Sequence, residues 1–299
     1  MKIWFVGLAF FHVFLLQGQG FESLEKDLMF HADVMTNAQN AIHRKRASES
    51  FYTGFSKALE GQGSFQYPFD SLIWVSKKQP VNQSFRLFTW IVDEGNSMYK
   101  HYGILQVASG VIYKLQDKLR ELDDWEYLQN GPEEWLGAMY YHIMEDEADG
   151  KPYYLLFGLN RYDTYENVKL VDILQFEKNG QPVFGSEIFV KKGAGERDLK
   201  KTRVVLKYNK DSYVGLHYNP GMHMIVHDHL IPESGIGGVN RLSLVSDGSL
   251  VGYEKKKGVW EYIDKIFTQV LDEAPRPKPV LDKRGKDLFG RDHDAEKKE

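Results

Sequence analysis

The densest chemistry in the chain is the run His223-Met224-Ile225-Val226-His227-Asp228-His229, three imidazoles and a carboxylate within seven residues. On a strand, side chains alternate between faces. His223, His227 and His229 then share one face, and Asp228 lies on the other with Met224, Val226 and Leu230. Neutral imidazoles two residues apart on one face suit Zn²⁺, with a third ligand from a neighbouring strand and a water completing an open tetrahedral site. Zinc-bound water ionises near neutral pH, which is the chemistry of a metal-dependent hydrolase. The order is neither the His-x-His-x-Asp-His of metallo-β-lactamases nor the helix-borne His-Glu-x-x-His. The leading expectation is therefore plainer: hydrogen-bonded strand histidines, an Asp228 that bonds a turn amide or fixes a neighbouring strand, and no cofactor.

Other spellings fail on their second halves. Glu145, Glu147, Asp149 and Gly150 imitate the start of a calcium loop, but Leu156 stands where the bidentate Glu belongs. Between Tyr140–Met144 and Tyr153–Leu159 the segment reads as an acidic hairpin tip. Ser97-Met98-Tyr99-Lys100 has Ser-x-x-Lys spacing without the Ser-Asp-Asn and Lys-Thr-Gly elements that make it a nucleophile motif. There is no Gly-x-Ser-x-Gly and no phosphate-binding Gly-x-x-x-x-Gly-Lys, and Gly235, Gly237 and Gly238 do not spell a dinucleotide fingerprint. The absence of Cys excludes disulfides, thiol nucleophiles and iron–sulfur clusters. With 38 Lys+Arg against 42 Asp+Glu, net charge −4, and no basic stripe interleaved with aromatics, nucleic acid is not an expected partner.

The aromatic content, 18 Phe, 17 Tyr and 6 Trp, offers a second candidate site. Trp135, Tyr140, Tyr153, Tyr162 and Tyr165 lie in clusters whose alternate members must face away from a single core, unless both faces of a sheet are covered. If exposed, they form a stacking surface for a glycan or a protein partner. If not, they fill a wide core.

The elements that must position these residues follow from patterning. Residues 1–20 join a basic start, an apolar run from Ile3 to Leu16 and small residues at Gly18 and Gly20, the grammar of a signal peptide cleaved near Gly20. The apolar run is shorter than a membrane span, so a soluble mature chain in the periplasm or outside the cell is expected, with no transmembrane segment after cleavage. Residues 21–64 predict an α-hairpin: one helix carries Phe21, Leu24, Leu28, His31, Met35, Ala38 and Ile42 on a stripe and ends at Arg44-Lys45-Arg46. A second, capped by Ser48, carries Phe51, Phe55 and Leu59. Residues 65–274 read as an antiparallel β domain of short aromatic runs separated by turns such as Asn179-Gly180 and Asp247-Gly248, closed by a short helix after Trp260. Residues 275–299 are a flexible tail rich in Pro and charge. The fold class is mainly β, α+β overall: a β-sandwich-like or large open sheet domain behind an α-hairpin, with a β-propeller as the alternative.

Four groups of residues carry a resemblance: Phe65 to Leu72 (FQYPFDSL); Phe88-Thr89-Trp90 with Tyr102 to Gln106; Trp135 with Tyr140-Tyr141 and Tyr153 to Gly158; and Val226 to Pro232 with Asp247-Gly248-Ser249. Together they resemble a family of uncharacterised secreted proteins of Bacteroidetes-type bacteria with no assigned activity. The resemblance implies an exported, β-rich protein and transfers no catalytic residue. In that family an apolar aromatic often precedes the Asp-His-Leu triplet, where this chain has His227. The functional expectation is a non-catalytic binding or assembly component of the periplasm or cell exterior, with a metal-dependent hydrolase centred on His223–His229 as the alternative.

Overall fold

The computed structural model describes residues 4–148, 150–193, 197–233 and 243–266. Helices α1 (Trp4–Asn37) and α2 (Ala41–Leu59) precede three sheets, none closed into a barrel. The hairpin forms as expected but breaks earlier than its apolar stripe suggests. Asn40 caps α2 by accepting the amide of Ile42 at 2.8 Å, so Ser48 is a buried mid-helix residue and Ile42 is exposed. Arg44 consequently starts α2 instead of ending α1, yet it still serves α1: its guanidinium donates to Ala38 O at 2.7 Å and Gln39 O at 3.0 Å, beyond the last helical turn.

The first sheet is β1 (Ser76–Lys78), β2 (Phe85–Gly95), β3 (Met98–Val107) and β4 (Ile112–Gln116), in that order. The second has the order β11-β7-β6-β5, from β5 (Met139–Ala148), β6 (Lys151–Arg161), β7 (Glu166–Phe176) and β11 (Val204–Asn209), with β8 (Pro182–Phe184) paired to β7. The third has the order β10-β9-β15-β14-β13-β12, from β9 (Phe189–Lys191), β10 (Leu199–Lys201), β12 (Leu216–Asn219), β13 (Met224–Pro232), β14 (Leu244–Lys256) and β15 (Val259–Ile263). All pairs are antiparallel except β9 with β15.

Period-two alternation divides each strand between two cores, which stacks the elements as helices, first sheet, second sheet, third sheet. Phe88, Trp90 and Val92 of β2 meet Phe51 and Phe55 of α2, while Phe85 and Leu87 turn to Tyr154 and Leu156 of β6. On the other face of β6, Tyr153, Leu155 and Phe157 pack on Ile225, Tyr253 and Trp260 of the third sheet. The first two sheets are thus covered on both faces, and Tyr153–Phe157 of β6, buried on both, is an unbroken apolar run. These are stacked layers rather than the radial blades of a propeller.

Segment FQYPFDSL is a strap between layers. Buried Arg86 donates to the carbonyls of Ser64, Phe65 and Tyr67 at 2.8–2.9 Å, and Glu25 of α1 accepts from the Tyr67 hydroxyl at 2.6 Å and the Ser71 amide at 2.7 Å.

At Gly185, φ +93°, the chain leaves β8 for β9 in another sheet, and a Cβ there would press on Leu128 O at 2.5 Å. Two sequence expectations are corrected. Asp247-Gly248 is not a hairpin turn but lies inside the long β14. The segment after Trp260 does not begin a helix. Val259–Ile263 is β15, entered from β14 through Lys257-Gly258, both at positive φ as a two-residue hairpin requires. Residues 267–274 of that predicted helix, the 275–299 tail and Asp149 lie outside the described residues. Helix α1 runs through the predicted cleavage position near Gly20 in the full chain. Among the described residues, no helix is long and apolar enough to cross a membrane.

Candidate functional site

Strand β13 does not present its histidines as one set. His223 precedes the strand in a turn at φ +53° and is exposed. A register shift between Asp228 and Leu230 then interrupts the alternation that should align His227 with His229. His229 leaves toward Asp247, with Nδ1 at 2.9 Å from a carboxylate oxygen. Hydrogen bonds from Ser249, then the His229 contact, hold the Asp247 carboxyl well below the usual carboxylate range. Asp228 takes the structural role expected of it: its oxygens accept the Gly215 amide at 2.6 Å and the Ser246 hydroxyl at 2.7 Å, tying β13 to its neighbours. The predicted ligand set His223, His227 and His229 is not brought together. Among the described residues, no group of three His, Asp or Glu side chains is placed to hold a metal ion.

His227 remains, and its environment is unusual. It is 7 % exposed and lines a cavity of about 190 Å³ between the third sheet and β11. Its Nδ1 lies 2.8 Å from Asp228 O. A carbonyl only accepts, so Nδ1 carries the proton and Nε2 carries a lone pair. That Nε2 is buried with no hydrogen-bond partner among the described residues. Burial pushes the imidazole below the ordinary histidine range, which keeps it neutral and keeps Nε2 an acceptor.

The rest of the lining comes from five strands and the long connection before β5. Phe189, Val204 and Leu206 are apolar walls. Tyr253 lies between His227, in a tilted contact with ring centroids 6.1 Å apart, and Tyr262, edge-on at 5.4 Å. Burial, and secondarily the charge of Glu126, raise the Tyr253 phenol, so it stays protonated. Glu126 is itself paired with Lys201 at 2.6 Å. Lys191 lies over the Tyr262 ring at 4.9 Å. Apart from His227, none of these residues stood out in the sequence. The available signal was the alternation of Val251, Tyr253 and then Trp260, Tyr262 around Lys257-Gly258, which marks an aromatic-faced hairpin.

A second cavity, about 430 Å³, opens between Tyr52 of α2 and the ends of β3 and β4, beside buried His101 and Asp117. The pair has the outline of a base and its orienting carboxylate, with His101 Nδ1 2.8 Å from Asp117. The other ring nitrogen is spent, however: Nε2 accepts the Arg161 amide at 3.1 Å. With Nδ1–H donating and Nε2 accepting, no lone pair is left to take a proton. Burial alone would raise the Asp117 carboxyl, but the bonds and charge of His101 hold it below its ordinary value. The pair locks β3 to the loop after β4.

Of the predicted aromatic surface, Trp135, Tyr140 and Tyr153 are fully buried. Trp135 Nε1 donates to the Tyr140 hydroxyl at 2.9 Å, and Tyr153 donates to Asp146 at 2.6 Å while accepting from Trp260 Nε1 at 3.0 Å. Tyr140 and Tyr153 are core because sheets cover both faces of their strands, and Trp135, in the connection before β5, packs into the core between the first and second sheets. Tyr162 is half-buried between Trp125 and Lys207, whose Nζ lies 4.3 Å from its ring centroid, and Tyr165 is exposed. The stacking platform is therefore not assembled from these five residues.

No family model, curated protein or solved structure matches the chain.

Proposed function

We propose that this is an exported, non-catalytic binding protein whose ligand occupies the His227 cavity. One observation carries the reading: a buried, neutral imidazole with its Nε2 lone pair unpartnered in an aromatic-lined cavity. A buried acceptor without a donor costs about 1–3 kcal/mol. A ligand N–H or O–H placed there relieves that cost, which makes the site selective for donors. The neighbouring groups favour binding over reaction, since Tyr253 is held as a phenol, Glu126 and Lys201 neutralise each other, and both His101 nitrogens are engaged. The signal-like segment 1–20 and the resemblance to secreted bacterial proteins support export to the periplasm or beyond.

The test is retention. Protein purified from its native host under non-denaturing conditions is unfolded, and the released small molecules are identified by mass spectrometry. The wild type is expected to release a stoichiometric compound that His227→Phe does not. A wild type that releases nothing, and whose His227 nitrogen resonances do not move across a small-molecule library, defeats the proposal. Stoichiometric zinc lost in His227→Ala/His229→Ala would transfer the site to the hydrolase alternative.

A further inference from the structure

The His227 cavity is polarised along the third sheet. Tyr253 pairs across strands with Tyr262 on one side and with Ile225 on the other, and His227 lies two residues beyond Ile225 on the same face. Lys191 follows on β9, over Tyr262. An imidazole, two phenol rings and a cation therefore form an oblique row crossing β13, β14, β15 and β9. Three inter-strand steps of about 4.8 Å and a two-residue displacement along β13 of about 7 Å set the Cα atoms of His227 and Lys191 roughly 16 Å apart.

The charges give that row a sign. Glu126 and Lys201 form a pair at 2.6 Å and cancel. Lys191 makes no ion pair with a carboxylate among the described residues, and its neighbour Lys192 already serves Asp198 and Glu261. Among the described residues the cavity lining thus includes one cation without a carboxylate partner, Lys191, and one imidazole, His227, whose buried Nε2 has no donor. Its volume, about 190 Å³, corresponds to roughly six waters at about 30 Å³ each. That accommodates a single ring with a short arm.

Building on the reading of this cavity as the ligand site, we infer that its ligand is a small planar monoacid with a hydroxyl at the end opposite its carboxylate. The hydroxyl donates to His227 Nε2, the ring lies against Tyr253 and Tyr262, and the carboxylate meets Lys191.

Titration calorimetry on the full chain with three probes tests this: 4-hydroxyphenylacetate, phenylacetate, which lacks the hydroxyl, and 4-hydroxyphenethyl alcohol, which lacks the acid. The hydroxy acid is expected to bind at least ten-fold tighter than either relative. His227→Phe should erase its advantage over phenylacetate, and Lys191→Gln its advantage over the alcohol. Should a variant fail to fold, the comparison of probes on wild-type protein still decides. If the alcohol equals the acid, or if no probe binds while a retained compound is released from wild-type protein, the ligand class is wrong and the cavity remains the site. If no probe binds and nothing is retained, both inferences fall.

Discussion

Replacing Arg203 by Met should be among the most damaging single changes in the molecule. Arg203 and Asp172 are both fully buried, with Arg203 Nε 2.9 Å from the Asp172 carboxylate. The guanidinium also donates to Trp125 O at 2.6 Å and Asn130 Oδ1 at 3.1 Å, pinning the connection between the first and second sheets. Met fills similar space but leaves a carboxylate inside the protein with only the Ile173 amide, at 2.9 Å, and the Tyr140 hydroxyl, at 3.4 Å. Breaking a buried pair from one side costs about 3–5 kcal/mol, because the surviving charge keeps its desolvation penalty and loses its compensation. A middle value of about 4 kcal/mol lowers the melting temperature of a domain this size by roughly 8–16 °C. Removing both charges is a different matter. Arg203→Met/Asp172→Leu discards the penalty with the attraction, and should recover at least about half of the loss, the remainder reflecting the orphaned Trp125 and Asn130 acceptors. Urea unfolding of both variants decides. A single variant within about 1 kcal/mol of wild type, or a double variant no more stable than the single, refutes the reasoning.

Three further outcomes are expected. Gly252→Ala should be destabilised by about 3 kcal/mol or more, since a Cβ there would overlap the Ile225 carbonyl and force β13 from β14; a melting temperature equal to wild type contradicts that contact. Burial holds His227 below the unfolded-state value of about 6.5, so the unfolded chain takes up a proton first as pH falls. Wild-type stability should therefore decline from about pH 6.5 downward, with a slope of at most about 1.4 kcal/mol per pH unit from this residue, and His227→Phe should flatten that segment of the curve. Asp117 is depressed instead, so its contribution is present above about pH 3.9 and lost as pH falls through its lower folded value. Asp117→Asn should cost about 1–3 kcal/mol near neutrality and converge with wild type in acid, and a pH-independent difference would deny the His101 bond its role.

What the sequence made legible was local. The hairpin helices, the β character of the middle of the chain and the acidic β5–β6 tip all follow from periodicity and turn chemistry within a few residues of each other. Asp228 was readable too, since a carboxylate inside a strand must find amide or hydroxyl donors nearby. What depended on distant partners was not. Whether Trp135, Tyr140 and Tyr153 face solvent is decided by how many layers cover a sheet, and no single strand encodes the existence of its neighbours. The histidine cluster misled for a related reason. Strand alternation aligns His223, His227 and His229 only if the strand begins before His223 and keeps register past Asp228, and the structure meets neither condition.

The layering also explains why the candidate site lies where it does. The first sheet is sealed between the helices and the second sheet, and the second between the first and the third, so their aromatic faces are spent on one another. The third sheet also gives one face to the core, and the second sheet presents to it an outer strand, β11, beside β7. Strands β9, β15 and β14 pass beneath that last strand and leave the space that Phe189, Tyr253, Tyr262 and His227 line. A fully covered sheet would have required His227 Nε2 to find a protein donor or be replaced by carbon, because buried polar atoms are rarely left unpaired. Among the described residues, the space beside β11 is where this chain keeps a buried imidazole with an unused lone pair.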